Sequence, residues 1–163
     1  MVQQLLSNHQ NWRLAKDNKQ GGGVATTTRG YPCKEVKTMQ TLISAPPRTG
    51  KSLYCMSLID QLSRKHPNRR IYTNIIGMNY PGVLTINSTP EKPFDWRDLP
   101  DGSIIFFDEA HEHPAFSAQD LLGTARTDAE KKRKAEILDI GDSLTLHGHF
   151  GFDIYLITQN PKL

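Results

Sequence analysis

The sequence has few of the features that mark secreted, metal-stabilised or membrane-spanning proteins. It contains only two cysteines, Cys33 and Cys55, which form neither a C-x-x-C pair nor a cluster of metal ligands. This usage argues against a disulfide scaffold or a zinc site and predicts a reduced, cytoplasmic location. An uninterrupted apolar run of about 18 residues is missing, and the polar N terminus lacks the apolar core of a signal peptide. We therefore expect a soluble chain.

The sequence also lacks a strongly charged domain. The formal net charge is +3, but residues 1–38 hold six Lys or Arg and two acidic residues, whereas the remainder holds 14 basic and 15 acidic residues. Residues 1–38 are rich in Gln, Asn, Gly and Thr and show no sustained apolar period. We predict that they form a flexible basic extension; a misplaced translation start, an artefact or an arm that contacts DNA are the alternatives. Residues 39–163 are predicted to form the folded domain.

From Met39 onward, short runs typical of strands alternate with helical periodicity. The predicted strands cover residues 41–44, 71–75, 103–107 and 152–158, and the predicted helices cover 51–66 and 128–146. On the first helix, four apolar residues share one stripe: Cys55, Leu58, Ile59 and Leu62. Because alternating strands and helices require crossover connections, we predict an α/β fold with a mainly parallel sheet flanked by helices.

The segment after the first predicted strand has the pattern of a phosphate-binding loop. Residues 45–52 read APPRTGKS and lead into a helix, whose free N–H groups and dipole favour bound phosphate. Lys51 is predicted to reach the β- and γ-phosphates, and the Ser52 hydroxyl to bind Mg²⁺. Ala45 replaces the usual first glycine, and a helix start without any ligand is the alternative. The predicted phosphate-binding residues are Arg48, Thr49, Gly50, Lys51 and Ser52.

A second motif is the apolar run IIFF that ends at Asp108 and Glu109. Since ligands of open α/β sheets gather at the carboxyl ends of the strands, we expect both acids beside the phosphate loop. Asp108 is predicted to hold Mg²⁺, and Glu109 to act as general base for an attacking water. Residues 108–111 spell the DEAH box of helicases, but the chain is too short for two helicase motor domains. His111 and His113 are candidate metal ligands, although exposed loop histidines are the preferred interpretation.

The last predicted strand ends in Thr158 and Gln159. The Gln159 amide is predicted to lie near the γ-phosphate, where it would sense that group and orient water. A plain turn before Pro161 is the alternative. Lys51, Glu109 and Gln159 are therefore the predicted catalytic residues.

With these elements in order, the chain resembles the N-terminal ATPase domain of the zonular occludens toxin family, which includes the gene I assembly proteins of filamentous phages. The matching segments cover most of residues 40–163: residues 42–52, 72–75, 99–109 and 147–161. Two positions depart from the family pattern. Gly148 stands where the family usually has Arg, and Arg48 stands where the loop often has Gly, which adopts a positive φ angle without cost.

The resemblance implies a P-loop ATPase domain with ATP and Mg²⁺ as cofactors, part of an inner-membrane motor for filamentous-phage assembly and DNA export. It also implies a homo-oligomeric ring that contacts phage single-stranded DNA and coat or assembly proteins. An arginine from the adjacent subunit would complete the site, with Arg126 and Arg133 as candidates, unless the basic run in residues 131–134 is only a solvated helix face. Relatives continue into a membrane span and a distal domain associated with toxin activity. We therefore expect a C-terminally truncated chain, attached to the membrane only through a segment that it lacks.

Two other classes of function stay open. A small-molecule phosphotransferase can share the phosphate loop, but it needs an acceptor site and an arginine-bearing lid, whereas Glu109 and Gln159 suit the activation of water. A non-catalytic nucleotide-binding or interaction module is the other alternative, because the loop is altered and the sequence stops early. Under that interpretation the first strand would form an uncovered edge of the sheet.

Overall fold

Five strands form a single sheet in the computed structural model, which describes residues 38–89 and 91–160. The predicted basic extension lies outside the described residues except for Thr38, so that prediction is untested. Every neighbouring pair of strands is parallel, in the order β1-β5-β4-β2-β3. The elements are β1 (Gln40–Ser44), α1 (Lys51–Lys65), β2 (Ile71–Thr73), β3 (Val83–Thr85), β4 (Ile104–Phe107), α2 (Asp128–Asp142) and β5 (Asp153–Thr158). The predicted α/β class and parallel sheet are confirmed.

The two faces of the sheet are packed by different parts of the chain. In β4, Ile104 and Phe106 point to one side and Ile105 and Phe107 to the other, and all four are buried. This explains the unbroken apolar run, because a central parallel strand is covered on both faces. Helix α1 covers the first face, and α2 with the segments flanking β4 covers the second.

Helix α1 matches its sequence prediction closely. Cys55 and Ile59 are fully buried against the sheet, and Leu58 and Leu62 pack beside them. Burial raises the pKa of the Cys55 thiol to about 11, so this cysteine is a packing residue. The predicted apolar stripe is therefore confirmed.

Helix α2 is shorter than predicted. A capping box between Thr127 and Glu130 starts it, but the α-helix ends at Asp142 and continues as a 3₁₀ segment, Ser143–Phe150. The Ser143 hydroxyl donates to the carbonyl of Ile140, 2.8 Å away, an alternative to regular helical bonding. Near the end of α2, Gly141 lets the helix backbone approach that of Ala115 closely, since a Cβ at Gly141 would lie 2.1 Å from the carbonyl oxygen of Ala115.

Two other boundaries differ from the predictions. The strand predicted over residues 71–75 ends at Thr73, because the Asn74 side chain bonds to the backbone of Asp108 and the Ile75 N–H bonds to the Thr73 hydroxyl. Strand β3 was not predicted; it has only three residues, one partly buried, and lies at the far edge of the sheet. No helix within residues 38–89 and 91–160 combines the length and apolar character that a membrane span requires.

Candidate functional site

A pocket of about 320 Å³ lies at the carboxyl end of the sheet, where β1, β4 and β5 end side by side. It is lined by Pro47, Arg48, Gly50, Lys51, Ser52, Leu53, Asp108, Glu109 and Gln159. The phosphate-loop segment, the acidic pair and the glutamine are thus brought together from three distant parts of the sequence. Of the predicted site residues, only Thr49 is not part of this lining.

The loop from Ala45 to Gly50 curls around the lysine side chain. Lys51 Nζ donates to the carbonyl oxygens of Ala45 and Pro46, at 2.8 and 3.0 Å. Thr49 turns inward instead, and its hydroxyl donates to the same Pro46 oxygen. Arg48 adopts the left-handed conformation, with φ of 61°, at the loop position that was noted above as often occupied by glycine. The loop therefore holds a backbone strain that a glycine would not carry.

The end of β4 is fixed by Asn74, which follows β2. Its amide nitrogen donates to the carbonyl of Asp108 at 2.9 Å, and its amide oxygen accepts from the Asp108 N–H at 2.5 Å. The side chain thereby replaces the next pair of bonds in the sheet ladder and sets the position of the first acid. This role was not predicted from the sequence. The signal for it was the position of Asn74 directly after β2, the strand that pairs with β4.

Burial raises the pKa of the Asp108 carboxyl, and the charge of Glu109 adds to the rise. The Glu109 N–H, which donates to Asp108 Oδ1 at 2.9 Å, and the charge of Lys51 oppose it. A half-buried carboxylate beside a lysine is a group that a bound cation would stabilise.

Glu109 has an unusual backbone and a constrained side chain. Its φ is 52°, left-handed for a non-glycine residue. Gln159 Nε2 donates to Oε1 at 2.7 Å, whereas Oε2 is buried without a hydrogen bond in the described part of the chain. The imidazole Nδ1 of His111 lies 3.4 Å from Oε2. Strain and an unsatisfied oxygen on one carboxylate are typical of functional sites.

The residues present suit a magnesium ion better than a zinc ion. Across residues 38–89 and 91–160, no group of three or more His, Cys, Asp or Glu side chains is placed to hold a metal. Ser52 and Asp108 supply hard oxygen atoms in one pocket, and Mg²⁺ needs only one or two such protein ligands beside phosphate oxygens. These two residues are the ones that can hold the ion.

The preferred interpretation of the two histidines as exposed loop residues is wrong. His113 is 3% exposed, stacks on Phe116, and its Nε2 lies 2.9 Å from the carbonyl of Phe94. Nδ1 accepts from the Ala115 N–H, and burial lowers the pKa of His113 to about 4. This ring is a neutral core group. His111 is partly buried and lies against Thr158, whose hydroxyl is 3.1 Å from its Nδ1.

A second, larger cavity of about 700 Å³ shares Ser52, Asp108 and Glu109 with the phosphate-loop pocket. Its other walls come from the residues after β2, the segment around Ser88 and the residues after β4. Most of its polar lining is already engaged: Asn74 binds Asp108, and the Ser88 hydroxyl accepts from the Phe94 N–H. This cavity was not predicted from the sequence.

The candidate arginines and the altered glycine lie elsewhere. Arg126 is exposed just before α2, and Arg133 on α2 donates to the carbonyl of Glu91 at 2.8 Å. Neither lines the two cavities. Gly148 lies beside Thr38, in the segment that leads into the start of β5, at the opposite end of the sheet.

Comparisons with known proteins agree on one family. The profile described as zonular occludens toxin (Zot) matches residues 39–163. ORF301 of Pseudomonas phage Pf3, named as a candidate assembly protein, is 33% identical over 127 residues, covering 76% of this chain and 36% of that protein. The chain therefore spans about a third of this curated relative.

A solved structure leads to the same family. The N-terminal domain of zonular occludens toxin from Neisseria meningitidis matches with a TM-score of 0.53 and 28% identity, over 77% of this chain and 69% of that one. The P-loop NTPase-like fold predicted from the sequence is confirmed by this likeness together with the parallel sheet. The chain belongs to the zonular occludens toxin (Zot) family.

Proposed function

We propose that this chain is the ATP-binding and ATP-hydrolysing domain of a filamentous-phage assembly motor that exports virion DNA. The observation that carries the proposal is the meeting of Lys51, Asp108 and Glu109 in one pocket of about 320 Å³ at the carboxyl end of a parallel sheet. Membership of the Zot family and likeness to a candidate assembly protein of a phage support the biological setting.

Each group has a chemical task in this proposal. The free N–H groups at the start of α1 bind the phosphates, and Lys51 leaves the carbonyls of Ala45 and Pro46 for phosphate oxygens. Glu109 takes a proton from the attacking water, and the Gln159 amide orients that water. When bound, Mg²⁺ supplies charge neutralisation at the phosphates, and Ser52 and Asp108 are the residues that would hold it.

The proposal includes a homo-oligomeric ring, because among residues 38–89 and 91–160 no arginine other than Arg48 lines the phosphate pocket. An arginine from a neighbouring copy would complete the site. Arg126 is the better candidate, since its side chain is exposed ahead of α2, whereas Arg133 already binds the Glu91 carbonyl. Phage single-stranded DNA and coat or assembly proteins are the proposed partners of such a ring.

The cavity of about 700 Å³ gives a specific reason to test phosphotransferase activity as well. It opens beside Glu109 and has room for a small acceptor. However, the described residues that line it include no Arg or Lys, and a phosphoryl acceptor site generally needs a positive charge. We therefore rank water above an organic acceptor as the attacking group.

The test measures nucleotide binding and phosphate release by the full chain and two variants. Lys51→Ala is expected to weaken ATP binding at least about tenfold, because it removes the charge that contacts the phosphates. Glu109→Gln is expected to retain binding and to lose about 10²–10⁴-fold in kcat, the usual contribution of a general base. Glu136→Gln, which changes an exposed carboxylate on α2 outside both cavities, is the matched control.

Three outcomes separate the candidate functions. Phosphate release that stops with Glu109→Gln and persists with Glu136→Gln supports the hydrolase. ADP formation that requires an added acceptor, with the phosphoryl group recovered on that acceptor and not as free phosphate, supports a phosphotransferase. Tight ATP binding without turnover at any protein concentration, including concentrations that permit assembly, supports a non-catalytic module.

A further inference from the structure

His111 is the polar residue of the DEAH-like segment that the proposed reaction does not use. It lies two residues after Glu109, in the 3₁₀ turn Ala110–Glu112. Its ring lies between two groups of different elements, the Glu109 carboxylate after β4 and the Thr158 hydroxyl at the end of β5. A ring in this position can transmit the geometry of one strand end to the other.

The hydrogen bonds around Thr158 determine which way the histidine proton must point. Thr158 is fully buried, and its hydroxyl donates to the carbonyl of Asn160 at 2.9 Å. That single proton is then unavailable for His111, so Thr158 Oγ1 can only accept from Nδ1. With Nδ1 unprotonated, its lone pair would also face Glu109 Oε2 at 3.4 Å, an unfavourable contact between two acceptors.

We propose that His111 is a positioning residue for Glu109: with its Nδ1–H bonded to Thr158 Oγ1, the ring is fixed 3.4 Å from Oε2 and keeps the carboxylate directed into the phosphate-loop pocket. Gln159 donates to Oε1, and the Nδ1–H side of the His111 ring faces Oε2, which has no hydrogen bond among the described residues. The carboxylate is thereby oriented by two side chains that both depend on the end of β5. This inference rests on the proposed function for its catalytic consequence, but not for its tautomer.

The neighbouring His113 provides an internal reference. Its Nε2 faces the Phe94 carbonyl and its Nδ1 accepts from the Ala115 N–H, so it must carry its proton on Nε2. Two histidines separated by one residue are therefore expected to be opposite tautomers. The tautomer of each is set by its hydrogen-bond partners.

The first measurement is the ¹⁵N NMR spectrum of the histidine rings in the full chain at pH 8, where free imidazole is neutral. We expect protonated Nδ1 for His111 and protonated Nε2 for His113. Thr158→Val should release His111 towards the Nε2–H form that free histidine prefers, and should leave His113 unchanged. An Nε2–H tautomer for His111 in the unaltered chain would overturn the proposal, whether or not the chain hydrolyses ATP.

The second measurement is steady-state ATP hydrolysis. His111→Ala is expected to lower kcat about tenfold while KM, nucleotide affinity and thermal midpoint stay unchanged, because only the orientation of the base is lost. His111→Asn, whose amide N–H falls near the position of Nδ1, should recover most of that loss. His149→Ala, an exposed histidine at the other end of the sheet, is the control.

The outcomes of this second measurement are also distinct. Wild-type kcat in His111→Ala, or equal losses in the Ala and Asn variants, contradicts the positioning role. Absence of hydrolysis by the unaltered chain contradicts the proposed function instead, and the tautomer measurement then decides the inference by itself.

Discussion

The two ends of the sheet are built on opposite principles. At the amino end, where β4 and β5 begin, charged and polar groups are satisfied by partners within the chain. At the carboxyl end, the same strands finish in groups that are strained, half-satisfied or bonded only to their own loop. One end therefore maintains the fold, and the other is available to bind something outside it.

The amino end is organised around Arg69 and Asp153. The two side chains form an ion pair that is largely buried, and the guanidinium also donates to the carbonyls of Gly102 and Gly151 at 2.6 and 2.9 Å. The second oxygen of Asp153 accepts from the Met39 N–H. The starts of β1, β4 and β5 are thus linked by one network with every charge paired.

The carboxyl end is only partly satisfied, although Asn74 bonds to Asp108 and Gln159 to Glu109. Arg48 and Glu109 are the two non-glycine residues with positive φ in the described ranges, and both lie here. Within the part of the chain that the structure describes, Lys51 donates to carbonyls of the phosphate loop, and Glu109 Oε2 has no hydrogen bond. The comparison teaches that stability and function are separated along the strand axis, so substitutions at each end should have different readouts.

The largest effect is expected from Arg69→Met at the amino end. Removing one partner of a buried ion pair leaves Asp153 unpaired and should lower the free energy of unfolding by about 3–5 kcal/mol. Urea denaturation measures the loss, and nucleotide affinity of the folded fraction should not change. Arg64→Met, which breaks an exposed pair with Asp60 on α1, is the control and should leave the urea midpoint unchanged. Equal effects of the two variants would contradict the comparison.

His113 tests whether the layer beneath the carboxyl end also contributes to stability. Its folded pKa is about 4, below the ordinary value of 6.5, so the unfolded chain binds a proton more readily. Stability should therefore fall by about 1.4 kcal/mol per pH unit as pH decreases from 6.5 towards 4. His113→Gln cannot titrate, and its urea midpoint should depend less on pH over this window. If the urea midpoints of the unaltered chain and of His113→Gln changed with pH in the same way, titration of this ring would not be the cause of the pH dependence.

Asn74→Ala tests the carboxyl end directly. It removes two hydrogen bonds to the Asp108 backbone, so we expect a loss of about 1–2 kcal/mol of stability, smaller than that of Arg69→Met. Phosphate release should decrease more than stability suggests, because the first acid loses its fixed position. Asn79→Ala, an exposed amide in the following loop, is the control. Unchanged turnover in a folded Asn74→Ala protein would contradict the idea that Asn74 sets the position of Asp108.

The smallest effect is expected at Arg48. Since φ is 61° there, Arg48→Gly should be more stable than Arg48→Ala by about 1 kcal/mol, the cost of a left-handed alanine. The two variants both lack the guanidinium, so their difference in urea midpoint isolates the backbone. An alanine variant as stable as the glycine variant would mean that the loop is not strained.

Sequence periodicity was sufficient for the elements whose burial is unambiguous. The IIFF run predicted β4, because both faces of that strand pack in the core. The apolar stripe from Cys55 to Leu62 predicted α1, because one face of that helix packs in the core. Strand β3 could not be foreseen, since its three residues are mostly exposed and depend on pairing with β2. The predicted end of α2 was wrong, because side-chain bonds to carbonyls end the α-helix there and composition does not report them.

The sequence was sufficient to predict which residues meet at the candidate site, but not which contacts hold them in position. Residue type and position after a strand were enough to place Asp108, Glu109 and Gln159 at one end of a parallel sheet. The roles of Asn74 and His111 depend on contacts between strands far apart in sequence, which no local pattern reports. His113 was misjudged because the packing of its ring against Phe107 and Phe116 and its contact with the Phe94 carbonyl form only in the folded domain.

The position of β5 between β1 and β4 has a consequence for biosynthesis. The first strand has its hydrogen-bonding partner 114 residues later, so during translation it stays unpaired until the end of the domain has left the ribosome. Until then β4, β2 and β3 can associate, but the phosphate loop has no neighbouring strand to hold it. A polypeptide released before residue 153 would therefore lack the strand that joins β1 to β4 at the candidate site.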